Sequence, residues 1–263
     1  PAGMTVGWDQ LHFGNPKNPA FVGATQDAAS LTSVATYPLG ISYGYYRAAR
    51  VVAINEDGTP VVTNLSIHMF AGTIVQTLVK GLVVGGTVKY MRGQATSETT
   101  LGLLNGDALD EAIKRKDDSD GAFDLDVGVL GTIGWFRAGF TAKNLAQPTF
   151  TGTSGFAIQV KRRFRLGLAA QPTDGLTLAF DVDLDTADPL VGLRRMMATG
   201  VETRLGSSLE LGGGVRWTRD GERLTIAAVG ASLKIRKGMW VDGYTTYSRN
   251  DDRGFGVAFR AGS

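Results

Sequence analysis

Side chains able to do chemistry are few in this sequence, and their spacing argues against catalysis. There are two histidines, His12 and His68, and no cysteine. Neither histidine has a serine or aspartate that the sequence places beside it, so a hydrolytic constellation is not indicated. The absence of cysteine removes a thiol nucleophile, thiolate-ligated zinc and a disulfide framework. Asp181-x-Asp183-x-Asp185 opens like a calcium loop. Thr186 then stands where such a loop needs its turn glycine, and Gly192 where it needs the bidentate glutamate. The run Asp117-Asp118-Ser119-Asp120 reads as solvated loop charge rather than a cation site. The expectation is no enzyme, no metal and no cofactor.

The remaining charges fall on one side of an alternating pattern. Asp124 and Asp126 alternate with Phe123, Leu125 and Val127, and Arg137 and Lys143 with Phe136, Phe140 and Ala142. Arg163 and Arg165 alternate with Phe164 and Leu166, and Asp181 and Asp183 with Phe180 and Val182. Glu202, Arg204, Glu210, Arg216 and Arg260 follow the same rule in the last third of the chain. Period two is the mark of strands with two unlike faces. Buried charges persist when paired, so these thirteen residues are expected to form a salt-bridge network on one face, with Arg163 and Arg165 opposite Asp181 and Asp183. Such a network would stiffen or fill a lumen rather than leave a wide pore.

The elements that carry these residues are strands, and the strands suit a closed transmembrane barrel. The longest near-apolar run, Leu78 to Val88, is interrupted by Lys80 and glycines, too short and too polar for a membrane helix. Helices and closed barrels are the structures that satisfy every backbone group in lipid. The apolar face is free of charge from residue 120 onward, as a lipid-facing wall requires. Glycine is abundant, 36 residues against 8 prolines, and many lie within alternating segments, where curvature or close backbone approach calls for them. The net charge is +2 with both signs interspersed, so nothing indicates a nucleic-acid partner.

Strands are expected near 4–13, 30–37, 41–54, 61–75, 82–94, 121–130, 135–145, 162–170, 176–184, 196–204, 209–218, 224–235, 239–248 and 254–260. That makes about fourteen, an even number. Every other connection is short: 38–40, 76–81, 131–134, 171–175, 206–208 and 237–238. The intervening set is generally longer, at 14–29, 95–120, 146–161 and 188–195, with shorter members at 55–60, 219–223 and 249–253. Short periplasmic turns and longer extracellular loops are the bacterial barrel pattern. Residues 1–263 thus read as one outer-membrane barrel domain, with a long extracellular loop at 95–120. Within that loop Asp107 to Lys116 carries acids first and bases last, which predicts a short helix. Trp8, Trp135, Trp217, Trp240, Tyr43, Tyr45, Tyr90, Tyr244 and Tyr247 are expected in interfacial girdles.

Several short motifs, in order, resemble the FadL-like group of outer-membrane barrels and its smaller PorV-like and TraF-like relatives. These are Pro1-Ala2-Gly3-Met4, Tyr37-Pro38-Leu39-Gly40, Val83 to Tyr90, Lys143-Asn144-Leu145, Phe180 to Asp183 and Thr199 to Glu202. Two departures stand out. The plug segment of long-chain fatty-acid transporters would precede Pro1. The sequence also ends Phe259-Arg-Ala-Gly-Ser263 rather than on an aromatic residue. Opening at Pro1, the chain is expected to follow a targeting segment. The resemblance implies a non-enzymatic component of a Gram-negative outer membrane, in contact with lipid. The leading expectation is a scaffold or partner-binding part of an envelope, secretion or surface assembly, motivated by compact size, short outer loops and charged lumen. The alternative is a FadL-like channel for hydrophobic small molecules.

Overall fold

The structure is a computed structural model describing residues 3–13, 25–99, 119–152, 155–185, 195–220, 225–248 and 253–262. Fourteen antiparallel strands close into one barrel. In chain order they are β1 (Gly3–Phe13), β2 (Thr25–Thr36), β3 (Leu39–Ile54), β4 (Pro60–Val79), β5 (Leu82–Thr99), β6 (Asp120–Ile133) and β7 (Phe136–Lys143). A two-stranded hairpin, β8 (Thr149–Thr151) and β9 (Ala157–Gln159), interrupts the series. The wall resumes with β10 (Arg163–Thr173), β11 (Leu176–Asp183), β12 (Arg195–Leu205), β13 (Leu209–Asp220), β14 (Thr225–Arg236), β15 (Met239–Ser248) and β16 (Arg253–Gly262). β16 pairs with β1, Val6 opposite Phe259, so no edge is left open. The tight connections all gather at one end of the barrel, with positive φ at Gly81, Gly134, Gly175, Gly206 and Gly238. The helix expected at 107–116 lies outside the described residues.

Alternation decides the two faces. Ile41, Phe70, Ile74, Val88, Phe123, Val201, Val229, Leu233 and Val257 are exposed on the outer surface, while their strand neighbours look into the lumen. An apolar exterior of this size has no aqueous rationale and suits hydrocarbon. Outer-face aromatics also pack on one another, as Trp8 does on Phe255 and Tyr90 on Phe123 (ring centroids 5.3 Å apart in both). Trp240 and Tyr244 correct the girdle expectation. Their register partners are lumenal, Arg260 and Gly256, so both point inward.

The strands differ in height. β4 has 20 residues, which at ~3.3 Å each and a tilt near 40° rise roughly 50 Å, about twice an apolar band of ~25 Å. β3 and β5 are nearly as long, so this part of the wall stands well above the band. At the end opposite the tight connections, the loop between β3 and β4 is closed by Asp57, whose carboxylate accepts hydrogen bonds from the Thr59 hydroxyl (2.6 Å) and amide (3.0 Å). Those donors hold the Asp57 carboxyl below its ordinary value. The cap is therefore expected to persist as pH falls through the usual aspartate range. An NMR titration of the Thr59 amide should show its midpoint below that of a free aspartate.

Candidate functional site: a lumen closed at one end by an inward hairpin

Where β7 ends, the chain leaves the wall and enters the barrel. Asn144 and Gln147 take left-handed backbone (φ 56° and 52°), a conformation easy for asparagine and unfavourable for glutamine. The hairpin β8–β9 then lies inside the mouth. Phe150 is fully buried, and together with Ile158 it packs among Ala48, Leu65, Ile67, Met91 and Ala95 of the lumenal faces of β3, β4 and β5. The seat for the Phe150 ring exists because the wall carries glycine there. A Cβ on Gly93 would fall within 2.4–2.6 Å of three ring atoms.

Three inward carboxylates of β6 hold the segment by its backbone. Asp126 accepts the Asn144 amide at 2.8 Å, Asp124 the Ala146 amide at 3.0 Å and Asp120 the Thr151 amide at 2.7 Å. Lys89 of β5, only 4 % exposed, stands against the first two of these acids. Its Nζ lies 2.6 Å from both Asp124 and Asp126 and donates to Asn144 Oδ1 at 2.7 Å. Asn144 in turn donates to the Lys161 carbonyl at the far end of the segment. Lys89 thus stands as counter-charge to both carboxylates, the condition on which charges are tolerated away from water, although Asp124 Oδ2 has only the ammonium beside it and no hydrogen bond of its own.

Beside the hairpin's base is an apolar cavity of about 310 Å³. Gly44, Tyr46, Ile67, Met69 and Met91 of the wall are among its lining residues, as are Asn144, Val160 and Lys161 of the segment that carries the hairpin. This volume lies within the ~300–1,000 Å³ range of small-molecule pockets. A second lumenal space of about 320 Å³, toward the tight-turn end, carries the acids Asp9, Glu202, Glu210 and Asp242, and Tyr244, among the side chains of its walls.

The thirteen charges singled out by alternation separate into clusters. Asp183 receives both Arg165 (2.7 Å) and Arg163 (3.3 Å). Asp181 stands instead over Gly167, where a Cβ would be 2.5 Å from its Oδ1. Nearer the tight turns Arg204 and Arg260 share Glu210, at 2.6 and 3.4 Å, and Arg260 also meets Asp242 at 2.7 Å. The Arg260 guanidinium and the Lys234 ammonium lie over the Trp240 ring, 5.6 and 5.8 Å from its centroid. Arg137 donates to Gln171 at 3.3 Å. Arg216 has Arg163, Arg165 and Asp183 within electrostatic range. Lys143 is similarly near Asp126 but has no ion pair among the described residues, and neither does Glu202. Alternation missed Lys89, Asp9, Asp120 and Asp242, and Lys234, though it alternates with Leu233 and Ile235, was not among the thirteen. Lys89 lies in a strand whose other face is half glycine and valine, which blurs the period, and Asp120 reads as loop charge.

Chemistry of another kind finds no support in these contacts. His68 lies on the outer face, tilted against Tyr45 (ring centroids 4.7 Å apart) and bonded to the Tyr43 hydroxyl through Nδ1 (2.7 Å). Asp185 accepts the Phe164 amide. No group of three potential metal ligands comes together among the described residues.

Residues 61–183 match the family described as "F plasmid transfer operon, TraF, protein". No curated protein matches the chain. Among solved structures, the CymD monoaromatic hydrocarbon channel is similar with a TM-score of 0.63 at 10% identity, over 99% of this chain and 88% of that one. The toluene transporter TodX of P. putida gives 0.58 at 9%, over 100% and 89%. A FadL homologue of Pseudomonas aeruginosa gives 0.57 at 11%, over 98% and 88%. At these identities the likeness concerns architecture alone, and in architecture the chain has the barrel fold of FadL-type channels.

Proposed function

We propose that this chain is a non-enzymatic barrel of the outer membrane of a diderm bacterium that takes up small hydrophobic molecules and passes them through its lumen. The observation that carries this reading is the apolar cavity of about 310 Å³ inside the barrel. A charged, filled lumen favours a scaffold, but an apolar chamber has no use in one. A dry cavity of ~150 Å³ lined by apolar side chains already accepts benzene. Twice that volume suits a substituted aromatic or a short acyl chain. The structurally similar channels named for monoaromatic hydrocarbons and toluene support the same class of ligand.

The detergent-solubilised barrel is expected to bind toluene or dodecanoate, measured by displacement of the apolar dye N-phenylnaphthylamine. Met69→Trp places an indole in the cavity and should weaken binding at least tenfold, about 1.4 kcal/mol. Equal dye binding by the wild type and this variant would remove the reading. The match of residues 61–183 to a family named for plasmid transfer favours a second reading, a scaffold in an envelope assembly. A stoichiometric protein partner that copurifies, with no apolar ligand bound, would establish that reading instead.

A further inference from the structure

We infer that the β8–β9 hairpin is the gate of this barrel, seated by Phe150 in the Gly93 notch and latched by the β6 carboxylates with Lys89. Three independent features point the same way. First, the segment is built to be inside: its large apolar side chains, Phe150 and Ile158, are buried against the lumenal wall rather than against other loops. Second, the wall is shaped for it, because Gly93 leaves room for a ring that any Cβ would displace. Third, its attachment is peripheral. The carboxylates of Asp120, Asp124 and Asp126 hold backbone amides at 144, 146 and 151, while no strand of the hairpin joins the barrel sheet.

The Leu145 amide still bonds the Leu125 carbonyl of β6 at 3.0 Å, but beyond it the described residues of the hairpin are tied to the wall by side chains and not by its hydrogen-bond ladder, so the hairpin can leave its seat while the barrel stays closed. Local opening of this kind requires far less than global unfolding. Asn144 and Gln147, both in left-handed backbone, mark where the chain turns out of the wall. They are placed as hinge residues, which absorb a change of φ and ψ at an element's end. The cavity adjoins the hairpin: Asn144, Val160 and Lys161, which flank it, line the cavity, and so do Leu65, Ile67 and Met91, against which Phe150 packs. Displacing the hairpin therefore opens the cavity toward the loop end of the barrel. This inference rests on the transport reading only for what passes through; the gate itself is a property of the lumen.

The test uses a disulfide, which is clean because the chain has no cysteine of its own. The double variant Gly93→Cys/Phe150→Cys is reconstituted in planar lipid bilayers, and ion conductance is measured before and after reduction. The same folded molecules are compared in both states, with heat-modifiable gel mobility confirming the barrel each time. Oxidised channels should match the low conductance of wild type, and reduced channels, lacking the ring, should conduct at least severalfold more. Gly93→Val, which pushes the ring out without touching the latch, should raise conductance in the same direction. Equal conductance in the two redox states overturns the gate, and so does failure of the two thiols to join under oxidant. Dye binding, measured in parallel, separates the two ideas. A latch-dependent conductance without dye binding leaves the gate and removes the ligand reading; dye binding with latch-independent conductance does the reverse.

Discussion

Lys89→Met is expected to destabilise the barrel by about 3–5 kcal/mol, the usual effect of removing one partner from a buried ionic cluster. Lys89 Nζ is the only cation within 4 Å of Asp124 and Asp126 among the described residues. Without it two carboxylates face each other in a buried site, where Asp124 is 3 % exposed. Their amide bonds to Asn144 and Ala146 would not offset that repulsion. Urea titration of folding into lipid vesicles measures the change, and the hairpin's loss would appear as protease cleavage between residues 144 and 161. A sharper version adds Asp124→Asn and Asp126→Asn. Replacing the whole set removes the unpaired charges, so the triple variant should be more stable than the single one. A triple variant less stable than Lys89→Met would show that the carboxylates act independently of the lysine.

Val229→Arg carries the second large effect, for the opposite reason. Val229 sits midway along β14, between Gly213 and Thr245 of the flanking strands, with 61 % of its surface exposed on the outer face. In water such a change is nearly neutral. At the middle of a bilayer it costs ~2–4 kcal/mol. Folding into vesicles should therefore lose that much relative to Val229→Ala, with the loss shrinking for arginine placed nearer the tight turns, as at Leu233. An arginine tolerated at 229 without loss would place this face outside the membrane.

The two substitutions probe features that were unequally legible. The outer face was readable because lipid selects residue by residue. Val229, Ala231 and Leu233 alternate with Gly230, Ser232 and Lys234, and no partner elsewhere in the chain is needed to see the pattern. Strand number followed from the same alternation and from the segregation of loop lengths, since each hairpin is local. Expected and observed strands agree to within a few residues at nearly every boundary, and β15 agrees at both ends.

The lumen was less legible because its contacts join residues far apart in sequence. Arg165 with Asp183 could be anticipated, since their strands are consecutive. Arg260 with Glu210 could not, because that pair depends on how far β13 to β16 curl and on the shear of the closed sheet. Trp240 and Tyr244 look like girdle aromatics, yet their register turns them inward. The clearest gap is 146–161, which reads as an ordinary outer loop. Nothing local in Thr149-Phe150-Thr151 tells a solvated loop from one folded into a lumen.

Sequence alone determined the strand count and, from residue 120 onward, an alternation that keeps charge off one face, because period two and turn chemistry act over a few residues. Tertiary structure decided which of the inward charges meet, that the hairpin after β7 packs on the lumenal wall, and that an apolar cavity adjoins it. Those outcomes depend on closure of the barrel, which brings Gly93, Phe150 and Lys89 together across segments that no local pattern connects.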